Sequence, residues 1–209
     1  MEYRGCKIII EQDVDPPDPI NDWDMLGEFC FYHRKYALGN SSRSQEDLQE
    51  AIENDEVIGF PVAMYDHSGI GFSKSRDRYP FNCPWDSGWI GWVIVEKEKV
   101  RAAYNVKRIS SQLKEEVLEI LTRELEIYDS YVRGEVYCYL TEDPDGETID
   151  SCCGFFGEEG EEDMMREAKA SIDYFWENRR EKHIAKAKTL IRNRVPLDAR
   201  REELAKYEL

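Results

Sequence analysis

The chain has 209 residues, 41% of them hydrophobic, with twelve Tyr, eight Phe and five Trp, enough apolar surface for a packed core and too much for wholesale disorder. Asp and Glu outnumber Lys and Arg by 44 to 28, a formal charge of −16. No apolar stretch approaches the length of a membrane helix, and Cys6-Lys7-Ile8-Ile9-Ile10 is far too short for the apolar region of a signal peptide, so a cytoplasmic location is expected.

Residues 6–11 read as a β-branched strand. Asp13-Val14-Asp15-Pro16-Pro17-Asp18-Pro19 follows as an acidic loop, since its prolines fit neither a helix interior nor a central strand. Phe29-Cys30-Phe31-Tyr32 is a short apolar run. Ser44-Gln45-Glu46-Asp47 has the form of a capping box and predicts a helix to about Asn54. Residues 57–65 predict a strand in which Pro61 marks an edge or a bulge. Residues 66–87 read as loops around Ile70-Gly71-Phe72. Residues 89–95 are apolar on both faces, the pattern of a central strand. Residues 97–104 predict a short helix.

Leu113, Val117, Leu121, Leu125 and Tyr128 recur at helical spacing, so a helix is predicted over 111–128, capped by Ser110 or Ser111. A strand over 135–140, an Asp143-Pro144-Asp145-Gly146 turn and a returning strand over 147–156 predict a hairpin. Five acids in the six residues 158–163 precede a last long helix, whose apolar face is set by Met165, Ala168, Ile172, Phe175, Trp176, Ala187 and Ile191. Val195-Pro196 stops it, and Asp198 starts a final short helix to Tyr207. The sum predicts an α+β fold: a mostly antiparallel sheet of four to six strands covered by two long helices. The expected division is a core domain over 1–160 and a C-terminal helical extension over 161–209 that packs on it and turns basic after about 178.

Charge is uneven along the chain. Residues 178–209 hold ten Lys/Arg against five Asp/Glu, leaving 18 against 39 in residues 1–177. The field of that acidic body repels nucleic acid and attracts basic surfaces. A binding protein for a basic partner is therefore expected, rather than an enzyme or a direct nucleic-acid binder. The basic tail is the one segment with the charge to touch nucleic acid. Its nearest expected partner is the acidic body of the same or a neighbouring molecule, which leaves room for a homodimer through the C-terminal helices. The acids with the best claim to a partner-binding surface are Asp13, Asp15, Asp18, Glu158, Glu159, Glu161, Glu162 and Asp163.

Chemistry-bearing residues are densest in Tyr65-Asp66-His67-Ser68-Gly69 and Cys83-Pro84-Trp85-Asp86-Ser87-Gly88. Tyr65, Asp66, His67, Ser68, Cys83, Trp85, Asp86 and Ser87 form a possible ligand loop: aromatic faces stack a base, and the polar groups hydrogen-bond it. His67 beside Cys83 or Ser87, with Asp66 or Asp86 orienting the ring, is the pattern of a hydrolase. The simpler reading is turn chemistry, since short polar side chains bond nearby backbone. His33 reads as a satisfied histidine at the core edge and His183 as solvated. Asp13, Asp15 and Asp18, like Asp143, Asp145 and Glu147, fall short of a calcium loop. No phosphate-binding glycine loop is present. No cofactor and no metal are expected. The six cysteines lack a CxxC pair, and all are expected reduced.

Trp23-Asp24-x-Leu26-Gly27, His33, Tyr36-x-Leu38-Gly39, Tyr65-Asp66-His67-Ser68-Gly69, Pro80-Phe81-x-Cys83-Pro84-Trp85-Asp86-Ser87-Gly88, Gly91, Tyr128, Gly134-Glu135-Val136-Tyr137, Asp150-Ser151-Cys152 and Gly154-Phe155-Phe156-Gly157 together resemble a family of small acidic proteins encoded by bacteriophages and mobile elements. The resemblance covers roughly residues 10–160 and transfers no catalytic residue. It implies a phage protein in the cytoplasm of a bacterial host. Small acidic phage proteins often block host defence enzymes, some by placing carboxylates where phosphates would lie. The expected function is thus inhibition of a host nucleic-acid-handling defence system through an acidic, DNA-mimicking surface. The alternatives are a nucleotide-signal binder using the 65–92 loops and a Cys/His hydrolase.

Overall fold

The computed structural model describes residues 1–67, 69–74, 86–196 and 199–206, with the backbone alone at 204 and 205. Its elements are β1 (Glu2–Tyr3), β2 (Cys6–Gln12), α1 (Pro19–Asp22), β3 (Glu28–Phe31), α2 (Gln45–Glu53), β4 (Val57–Asp66), β5 (Ile70–Lys74) and β6 (Ser87–Glu96). They continue with α3 (Lys97–Ala103), α4 (Ser111–Arg133), β7 (Val136–Glu142), β8 (Thr148–Phe156), α5 (Gly157–Arg194) and α6 (Arg200–Ala205). The fold is α+β, with two four-stranded antiparallel sheets where the sequence suggested one. Its helices run from 4 to 38 residues.

The chain forms two compact units. The larger comprises Gln12–Tyr137 and Gly154–Gly160; the smaller comprises Met1–Glu11, Cys138–Cys153 and Glu161–Leu209. Residues 161–209 therefore share a unit with the first eleven residues and a hairpin, rather than adding to a single 1–160 core.

In the larger unit the strand order is β3-β6-β4-β5, so β6 is internal, as its two apolar faces require. Val93 and Val95 meet Phe29, Phe31, Phe60 and Val62, and α4 covers this face with Val117, Leu121, Leu125 and Tyr128. Ile94 points the other way, to Cys30 and to Leu48 of α2. Each fully buried aliphatic side chain here contributes about 1.5–3 kcal/mol. The Ser44–Asp47 capping box forms and starts α2. Ser110 caps α4 by accepting the Leu113 amide at 3.1 Å, and Gly134, at φ 71°, ends it. The helix thus runs five residues past the expected end at Tyr128, and Tyr131 and Val132 of the added turn pack against the core. Pro61 is paired with Trp92 of β6, one residue before the register shift at Val62/Ala63, which agrees with the expected bulge.

In the smaller unit the sheet order is β1-β2-β7-β8. Among the described residues its buried ones are Cys6, Ile8, Tyr139, Thr141, Met164, Ala168, Ile172 and Ile191. Met164, not Met165, is the buried methionine, since 164, 168 and 172 share one row of α5. Asp173 fastens α5 by accepting the Tyr3 hydroxyl at 3.2 Å and the Arg4 guanidinium at 2.5 Å.

Two expectations fail here. Cys138 and Cys153 form a disulfide, so not all cysteines are reduced. A spacing of 15 carries no motif, but the β7–β8 hairpin sets the two Cα atoms 4.0 Å apart. Within its own chain the basic tail also takes up few of the acids among the described residues. Among the described residues Arg179 pairs with Asp143 at 3.8 Å and Lys206 with Glu203, whereas Arg180, Lys182, Lys186, Lys188, Arg192 and Arg194 form no ion pair there.

Candidate ligand cleft

A cleft of about 370 Å³ opens in the larger unit where β4 and β6 end. Antiparallel pairing sets Tyr65 opposite Ser87, and one step further the Asp66 amide donates to the Asp86 carbonyl at 2.7 Å. Two acids twenty positions apart in sequence are thereby placed side by side, and both line the cleft with His33, Ser87 and Trp89.

A bulge aims the rim. The β4–β6 register steps from Val62↔Gly91 to Ala63↔Trp89, which leaves Ile90 as the extra residue. Ile90 turns into the core and its carbonyl accepts the Tyr32 amide at 2.8 Å, while Trp89 is left 54% exposed. Only glycine fits beside it: Gly91 has φ 156°, and a Cβ there would stand 1.9 Å from the Cys30 carbonyl oxygen.

The opposite wall comes from the turn after β3. His33 Nδ1 accepts the amides of Lys35 at 3.3 Å and Tyr36 at 3.2 Å, which assigns the proton of the neutral ring to Nε2. The imidazole stacks on Tyr36, with centroids 5.1 Å apart and planes within 9°. The Tyr36 hydroxyl donates to Asp66 Oδ1 at 3.4 Å, and Lys35 Nζ lies 3.8 Å from Asp66 Oδ2. The Lys35 ammonium is held above its ordinary range, first by hydrogen bonding to Tyr36 and then by the nearby Asp66 charge. His67 Nδ1 is 3.3 Å from Asp86 Oδ2, with a side chain 62% exposed.

The cleft is thus acceptor-rich and walled by rings. Carboxylates accept N–H groups and repel phosphate, and ring faces attract cations, so the arrangement suits an ammonium, a guanidinium or the donor edge of a base.

Of the possible ligand loop, Tyr65, Asp66, His67, Asp86 and Ser87 are brought together; Ser68, Cys83 and Trp85 lie outside the described residues. Lys35, Tyr36 and Trp89 join the site and His33 moves into it from the core edge. His33 and Tyr36 stand three apart within the motif set, a signal too short to assign a role. The acids expected to bind a partner fall in both units. Asp13, Asp15, Asp18, Glu158 and Glu159 belong to the larger unit, and Glu161, Glu162 and Asp163 to the smaller. Asp13 accepts the Asp15 amide at 3.1 Å, and Asp18 caps α1 through the Ile20 amide at 3.1 Å. Asp163 pairs with Arg166 at 2.7 Å. Glu158, Glu159, Glu161 and Glu162 are exposed and form no ion pair among the described residues. Asp143 is taken up in its turn by the Asp145 and Glu147 amides. His183 is exposed on α5, and among the described residues no helix is long and apolar enough to cross a membrane.

The chain matches no family model, no curated protein and no solved structure.

Proposed function

We propose that this is a non-enzymatic binding protein of phage or mobile-element origin that occupies a basic, nucleic-acid-handling site on a host defence protein. Its contact point is the acceptor-rich cleft, which takes an arginine or lysine side chain of the partner. One observation carries the reading: Asp66 and Asp86 are locked together by a backbone bond of 2.7 Å at the mouth of a ring-walled cleft, in a chain of net charge −16. The solvated acids elsewhere, Glu158, Glu159, Glu161 and Glu162 among them, supply long-range attraction rather than a duplex-like surface. An oligo-arginine peptide serves as the probe. Binding is expected to weaken steeply with salt and to fall about tenfold in D66N/D86N, the loss of one well-placed charged hydrogen bond. The control E46Q/E50Q removes the same charge from the exposed face of α2. Equal loss in both variants, or binding indifferent to salt, would overturn the reading.

A second reading rests on the rings that line the cleft, His33 and the half-exposed Trp89, beside two acceptors. It assigns the cleft to the base of a nucleotide signal. A thermal-shift screen of cyclic nucleotides tests it: stabilisation that is lost in Trp89→Ala supports it, and no stabilisation by any of them rejects it.

A further inference from the structure

The smaller unit has an opening of its own, remote in chemistry from the acidic cleft. A groove of about 530 Å³, the size of a small-ligand pocket, runs along α5 beside β8. Asp150 lines it from β8; Tyr174, Phe175, Asn178, Arg179 and Lys182 line it from α5. The helix residues recur at steps of one, three and four, so all five share one face.

Two kinds of group meet there. The first is aromatic: Tyr174 is 68% exposed and presents its ring to solvent beside Phe175. The second is cationic. The Arg179 guanidinium lies 5.7 Å from the Phe175 ring and 5.5 Å from the Trp176 ring, with Asp143 at 3.8 Å. Those contacts fix its position yet use few of its five N–H donors. Lys182 is exposed and forms no ion pair among the described residues. Beyond it Lys186 stands one turn on along the same face, so Arg179, Lys182 and Lys186 form a basic track of about 10 Å at the rise of an α-helix. Asp150 accepts the Tyr139 hydroxyl at 2.8 Å through Oδ2, which leaves Oδ1 as an acceptor. Asn178 adds both a donor and an acceptor.

We propose that this groove binds a nucleoside phosphate unit. The base stacks on Tyr174 and Phe175 and gives its amino or imino hydrogens to Asp150 and Asn178, while the phosphate is held by Arg179 and Lys182. Aromatic stacking beside a cationic track is the arrangement by which proteins hold single-stranded nucleic acid, and the acidic rest of the chain keeps duplexes away. The same chemistry serves a free nucleotide, and the two sources are separated by the probe.

Fluorescence anisotropy with a labelled single-stranded adenine 12-mer and calorimetry with adenosine monophosphate, both on the full chain in low salt, test the site. The 12-mer is expected to bind with a strong salt dependence, and Y174A and K182E each to weaken it by about tenfold. Tyr174 and Lys182 are exposed, so neither variant threatens folding. The control R180E makes the same charge change on an exposed residue that does not line the groove. Binding of the 12-mer well above the monophosphate assigns the site to a strand; equal affinity assigns it to the free nucleotide. No binding of either probe, no effect of Y174A, or an R180E effect equal to that of K182E overturns the proposal.

Discussion

The carboxylate of Glu124 on α4 accepts the Gly27 amide at 2.8 Å, across 97 positions of sequence, and its other oxygen takes the Leu26 amide at 2.6 Å. This clamp fastens the segment before β3 to the helix that covers the sheet. Burial nevertheless pushes the Glu124 carboxyl above its ordinary value of 4.5, and Asp129, which accepts the Phe72 amide at 2.5 Å, is raised above 3.8 for the same reason.

Glu124→Ala leaves two amides without their acceptor and is expected to cost about 1–3 kcal/mol in urea unfolding at neutral pH. The pH dependence has a definite sign. A carboxyl with a raised folded pKa is held more tightly as the neutral acid in the fold, so its contribution is complete below the ordinary value and is lost as pH rises through the raised one. Stability attributable to these two groups falls with rising pH across that window, and E124Q flattens the fall. A slope unchanged in E124Q would refute the assignment.

Gly91 admits no side chain. Gly91→Ala forces a Cβ to 1.9 Å from the Cys30 carbonyl and must displace β3 from β6. The expected loss is about 3 kcal/mol or more, from strain at a left-handed residue and a broken ladder. Circular dichroism melting measures it, with G88A, where a Cβ meets nothing within 4 Å among the described residues, as the mild comparison.

Reduction should act on the smaller unit. Opening Cys138–Cys153 frees a loop of 15 residues and is expected to cost about 3 kcal/mol, read as a fall in melting temperature under a thiol reductant that C138A/C153A abolishes. Without reductant, Cys152 is the exposed thiol among the described residues and should react before Cys30, which is buried and pushed up to about 11.

His67 and Asp86 stand as a base and its orienter would, so the hydrolase reading has a direct test. A His67→Ala, Cys83→Ala double variant should keep the oligo-arginine affinity of the wild type within about twofold, since neither residue supplies the accepting carboxylates. A biological activity that vanishes in this variant while peptide affinity persists would restore the enzyme.

Much of the fold is legible in the sequence because local signals agree with packing there. Ser44 and Asp47 announce α2, the heptad-like row ending at Tyr128 announces α4, and apolar residues on both faces of 89–95 announce an internal strand. The remainder depends on pairing at a distance. Nothing in residues 1–11 says that they share a sheet with 138–153, and nothing local pairs Cys138 with Cys153. The same holds at the cleft. Asp66 and Asp86 stand within the two motifs the sequence singles out, but the bulge at Ile90 that turns Trp89 outward, and the turn that brings His33 and Lys35 to Asp66, arise from strand register. The acidic residues illustrate the opposite failure: their number is plain in the composition, but their distribution over two units is not.

The make-up of the smaller unit dictates an order of birth. Its first eleven residues leave the ribosome long before the hairpin and the final helix that complete their sheet and core exist. Residues 1–11 must therefore wait for their partners while the 12–137 segment has already been made and is free to fold. A stop between residue 137 and α5 would keep every cleft-lining residue and strand that opening ribbon as an unfinished edge.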